Sequence, residues 1–152
     1  MNRALSAIAV ATLLLQILAV RAEEKPLTFE SGSMGEIDDT QATKAGFRSP
    51  VFGYAHFGFT NFKASNGDGL MVLYGDFRNP EEARRYLDWK VGRSAKILSK
   101  AAKTGTTETR VEIVPDSDHS EVDVVWVVGP VVHVICAHEL SDALELEKQY
   151  GH

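Results

Sequence analysis

The hydrophobic and polar positions of this chain change period several times, and each change marks an element. From Val122 to Ala137 the chain reads VDVVWVVGPVVHVICA, two apolar runs around Gly129-Pro130. β-Branched and aromatic residues fit a pleated surface, and a Gly-Pro pair between two such runs marks a tight connection. The pattern predicts a hairpin of strands 122–128 and 131–137. With a two-residue loop, Val128 faces Val131, Trp126 faces His133, Val124 faces Ile135 and Asp123 faces Cys136. Facing residues share one side of a sheet. Both sides of this hairpin are mostly apolar, so it belongs at the sheet centre, where no edge invites aggregation.

Upstream, FRSPVFGYAHFGFTNF (47–62) holds five of the seven phenylalanines. It predicts one strand, or two broken near Gly53. Phe47, Phe52, Tyr54, Phe57, Phe59 and Phe62 suit a sheet face packed on a helix. Asn66 to Gly69, NGDG, is a turn signal, and LMVLYGDF (70–77) is the second strand of a hairpin. Asn79 then caps a helix with Pro80 at its first position and Glu81 and Glu82 in its first turn. The stripe Ala83, Tyr86, Leu87, Val91, Ala95, Leu98, Ala102 extends this helix to Gly105. TRVEIVP is a strand, and SDALELEKQY is a short helix capped by Ser141. Glu23 to Thr43 is polar, acidic and without period, which predicts a flexible leader with one short edge strand at PLTFES.

The resulting expectation is an α+β domain. It has an antiparallel sheet of about five strands in the order β-β-α-β-β-β-α, with a long and a short helix on one face. The segment LMVLYGDFRNPEEARRYLDWKV, 22 residues, resembles in outline the start of a SPOR-type glycan-binding domain. An aromatic hairpin precedes it here and the expected helix is longer, so no family is assigned from it.

The first 22 residues alter the picture. Arg3 precedes a run from Ala4 to Val20 with no charge, which ends in Val20-Arg21-Ala22. This pattern reads as a secretory signal peptide cleaved after Ala22, with a retained membrane anchor as the alternative. The expected organisation is 1–22 signal peptide, 23–44 leader and 45–152 a single domain, exported to the periplasm or the extracellular space. Cleavage leaves 14 basic and 21 acidic residues, a formal charge of −7. Nucleic-acid binding is then excluded as an expectation, because its affinity comes mainly from neutralising phosphates. The single cysteine can form no intramolecular disulfide, and a lone thiol in an oxidising compartment is safest when buried.

Candidate chemistry is sparse. His133 and Cys136 lie on opposite sides of a regular strand, so they cannot share a metal. Cys136 and His138 share a side, but two ligands are too few for a closed zinc site. DSDHSEVD offers Asp116, Asp118, His119, Glu121 and Asp123 within eight residues, of which Asp116, Asp118, His119 and Glu121 are the candidate donors for a cation. The spacing of a calcium-binding EF-hand loop fails, since the glycine required at its sixth position is absent. Along the expected helix, Arg85, Arg93, Lys96, Lys100 and Lys103 fall near one face and form a basic stripe on an acidic chain. No phosphate loop, zinc-protease motif or nucleophile elbow occurs. These residues point to a small exported non-enzymatic binding module with no cofactor, meeting an anionic protein or envelope polymer through the stripe. The alternative is a small hydrolase or metal-dependent enzyme built on His119, His138 and nearby carboxylates.

Overall fold

The computed structural model describes residues 25–38, 55–102 and 109–150. The expected signal peptide (1–22), Phe47, Phe52, Tyr54 and Lys103 lie outside these residues. Nine elements follow in chain order: β1 (Phe29–Ile37), β2 (Ala55–Ala64), β3 (Gly69–Phe77), α1 (Pro80–Gly92), β4 (Ser94–Ala102), β5 (Thr109–Pro115), β6 (Val122–Val128), β7 (Val131–Ala137) and α2 (Leu140–Tyr150). The strands form one antiparallel sheet in the order β1-β2-β3-β7-β6-β5-β4. The expected α+β class and antiparallel pairing hold. The strand count is seven rather than about five.

The two additional strands are the edges. β1 falls inside the acidic leader and extends past the short strand expected at PLTFES. Its side chains are mostly exposed, so it lacks the alternation that betrays a half-buried strand. It is held by pairing with β2, with a register shift between Ser31 and Met34. β4 occupies the second half of the expected long helix. Asn79 caps α1 as expected, accepting the Glu82 N–H at 2.9 Å, but the helix stops at Gly92. Arg93 N–H turns back to the Trp89 and Lys90 carbonyls, and Ser94 Oγ donates to the Val91 carbonyl at 2.7 Å. Ala, Lys and Leu beyond this point favour helix in isolation, but pairing with β5 overrides that preference. Two irregularities, Ser94/Lys96 and Ile97/Ser99, break the period of two that would have marked β4 as a strand.

The helices lie on opposite faces of the sheet, not on one. β6 and β7 are buried on both sides, so each side needs its own cover. Ala83, Tyr86 and Leu87 of α1 pack with Phe57, Leu73, Ile113, Val125, Val127, Val134 and Cys136. Ala143 and Leu146 of α2 pack with Leu70, Val72, Val124, Trp126 and Ile135. The alternation along β6 thus separates two cores. The central hairpin has the expected register: Asp123 opposite Cys136 and Trp126 opposite His133. Gly129, with φ of +56°, makes its turn.

Two glycines are fixed by close approach. A Cβ on Gly58 would stand 2.2 Å from the ring of Tyr74, and one on Gly75 would stand 2.5 Å from the ring of Phe57. The paired residues Gly58↔Tyr74 and Phe57↔Gly75 therefore lay one aromatic ring over each glycine, on opposite faces. At the other end of this hairpin Asn66 Nδ2 donates to Asp142 Oδ2 at 2.9 Å, tying the turn to α2.

Candidate functional site

The densest group of reactive side chains lies between α1 and the central hairpin. Tyr86 and Lys90 are four residues apart, so they share a helix face. Pairing of β6 with β7 sets Asp123 against Cys136. Lys90 Nζ reaches Asp123 Oδ2 at 2.5 Å, with side chains 15% and 2% exposed. The other carboxylate oxygen, Asp123 Oδ1, is buried without a hydrogen-bond partner. Glu121, just before β6, is half-buried and completes the group. One donor atom from each of Glu121, Asp123 and Cys136 lies within 4.8 Å of the others, the one such trio among the described residues. A groove of about 410 Å³ runs past Glu121, Cys136 and His138 at this end of the sheet.

Burial sets the electrostatics here. It pushes the Cys136 thiol well above its ordinary pKa, and the Asp123 charge pushes it further. Tyr86 is raised for the same first reason, against the pull of Lys90. Burial is the largest influence on Lys90 and opposes its charge, but Asp123, Tyr86 and Cys136 together outweigh it and raise its pKa. Glu121 is raised by burial and then by Asp123. A thiol in this state is a poor nucleophile. The arrangement holds charge and offers donor atoms.

The opposite face carries a second charged group. Arg110 donates through Nε and Nη2 to the two Glu147 oxygens at 2.6 and 2.7 Å. Its Nη1 meets Glu112 Oε1 at 2.7 Å. Beside it His133 stacks on Trp126 with ring centroids 5.0 Å apart.

The residues singled out in the sequence are dispersed. Arg85 is exposed on α1 and pairs with Glu81 at 2.6 Å. Arg93 follows the helix and lies over the Trp89 ring at 5.3 Å. Lys96 is exposed on β4, and Lys100 belongs to the same strand. The expected single helical face does not exist, because the helix ends at Gly92, before four of the five positions. In the loop before β6, His119 approaches Asp116 at 3.6 Å with both side chains about three-quarters exposed, 69% and 76%. Asp118 accepts from the Ser120 N–H and hydroxyl, which lower its pKa, with smaller contributions from His138 and His119. His138 Nδ1 lies 3.2 Å from the Ser120 carbonyl. His56 is remote from this loop and pairs with Glu36 at 3.0 Å. Of the four proposed cation donors only Glu121 joins a compact donor set.

Sequence reading missed Lys90 as a partner of Asp123. The signal was its place one turn after Tyr86 on the buried stripe, a position where a lysine needs an anion. No family model, curated protein or solved structure matches this chain.

Proposed function

We propose that this chain is an exported binding module that takes an extended acidic segment as an added strand along β4. One observation carries the reading. β4 is the last strand of the sheet, and from Ser94 to Ala102 it holds Lys96 and Lys100 with no acidic residue, with Arg93 just before it. A terminal strand offers backbone donors and acceptors to a partner strand, and its cations select a partner of opposite charge. Ile97, 44% exposed, adds an apolar contact point. The opposite edge, β1, carries Glu30 and Glu36 instead, so the two edges differ in sign. Among the described residues no helix is long and apolar enough to cross a membrane. An enzyme on His119 and His138 is the weaker reading, since its side chains lie on an open loop without a fixed base–nucleophile pair.

The test is an NMR titration of the full chain with a short peptide alternating Glu and Val. Shifts confined to β4 and β5 that weaken with salt are expected, and Lys96→Glu should weaken binding several-fold. Shifts centred on the 116–120 loop, or none at all, refute the reading. Mass spectrometry of the protein from its native host should find Glu23 at the N-terminus.

A further inference from the structure

We infer that Glu121, Asp123 and Cys136 form a binding site for a thiophilic divalent cation of the zinc class, separate from the β4 edge. Three observations converge. The trio's donor atoms lie within 4.8 Å of one another. In a tetrahedral zinc centre with bonds of about 2.0–2.3 Å, donors stand roughly 3.3–3.8 Å apart, so the trio needs to close by only about 1 Å. Asp123, 1% exposed, keeps Oδ1 buried without a hydrogen-bond partner. A buried carboxylate oxygen left in this state costs free energy unless something binds it. Lys90 occupies only Oδ2, so it fixes the carboxylate and leaves the second oxygen available.

The charge count agrees. A thiolate and two carboxylates beside one ammonium leave a net charge of minus two, which a divalent cation cancels. The cation takes the place of the thiol proton, which leaves to water as the metal–sulfur bond forms. Mixed sulfur and oxygen donors select zinc-class ions over magnesium or calcium, which take oxygen alone. The groove past Glu121, Cys136 and His138 reaches two of the three donors, Glu121 and Cys136, and has room for a solvent molecule as fourth ligand. The donor stretch read from the sequence therefore gives up Asp116, Asp118 and His119, keeps Glu121 with its neighbour Asp123, and is joined by Cys136.

Cys136 is the only cysteine, so a sulfur-to-metal charge-transfer band reports this site alone. The full-length chain is titrated with Cd(II), then Co(II), under reducing conditions. One equivalent is expected to produce the ultraviolet charge-transfer band. Cys136→Ala should abolish the band. Glu121→Gln, at a half-exposed position that tolerates the change, should weaken binding at least about tenfold. Unchanged near-ultraviolet circular dichroism in both variants shows that the fold persists. Absence of the band in the wild-type protein at millimolar metal overturns the inference, as does a band of unchanged affinity in Glu121→Gln.

Discussion

The two faces of the sheet each bury an ion pair, and the pairs are built differently. On the α2 face, Arg110 satisfies both oxygens of Glu147 and one of Glu112. On the α1 face, Lys90 meets one oxygen of Asp123 and leaves the other buried without a hydrogen bond. A guanidinium fork matches a carboxylate in two parallel bonds, whereas an ammonium is a point charge. The α2-face group is closed and needs nothing further. The α1-face group is drier, less completely bonded, and surrounded by Glu121, Cys136 and Tyr86. The difference teaches that burial of charge alone does not mark a site; an unfilled acceptor among further donors does.

The largest effect should come from breaking the drier pair. Lys90→Ala leaves Asp123 charged in an apolar interior and should destabilise the fold by about 3–5 kcal/mol in urea unfolding. Arg110→Ala should cost less, about 1.5–3 kcal/mol, because Arg110 is 24% exposed and water can reach the freed carboxylates. Equal losses would mean that the two faces are equally dry.

Cys136→Ala comes next, at about 1–2 kcal/mol from lost packing volume. The native thiol should react slowly with thiol reagents and rapidly after denaturation. Rapid labelling of the folded protein would place Cys136 outside the core.

The alkaline limb of stability sharpens the contrast further. Cys136, Tyr86 and Lys90 all have raised pKa values in the fold. Each keeps its proton when folded and loses it more readily when unfolded, so their contribution is complete below the unfolded values and declines as pH rises. For the metal-free protein the decline should start near the ordinary thiol value of about 8.5 and reach about 1.4 kcal/mol per pH unit for that proton. In Cys136→Ala it should start only near pH 10, where tyrosine and lysine titrate. The same onset in both proteins would show that the thiol is not linked to folding. On the other face, Glu147→Gln should leave this alkaline onset in place.

Much of the α1-face site was legible in the sequence. The apolar runs around Gly129-Pro130 set the hairpin register, and with it Asp123 against Cys136 and Trp126 against His133. Asn79 and Pro80 marked the start of α1. What was not legible depended on contacts between distant segments. Lys90 reaches Asp123 because α1 crosses the sheet between β3 and the far-edge strand β4, a path that no local pattern encodes. β4 was hidden because its residues favour helix and its bulges erase alternation. The placement of the helices failed for a related reason. Both faces of β6 and β7 were visibly apolar, yet that required one helix on each side rather than two on one.

The most direct test of the contrast between the faces pairs one substitution on each. Thermal unfolding is followed for the wild-type chain, Glu121→Gln and Glu112→Gln, each with and without excess Zn(II). A cation that binds only the folded state stabilises it by about 2.7 kcal/mol at a hundred times its Kd. The wild-type and Glu112→Gln proteins should both gain this stability, and Glu121→Gln should gain far less at the same zinc concentration. Equal gains in all three proteins, or no gain in the wild type, would contradict an open donor set on the α1 face.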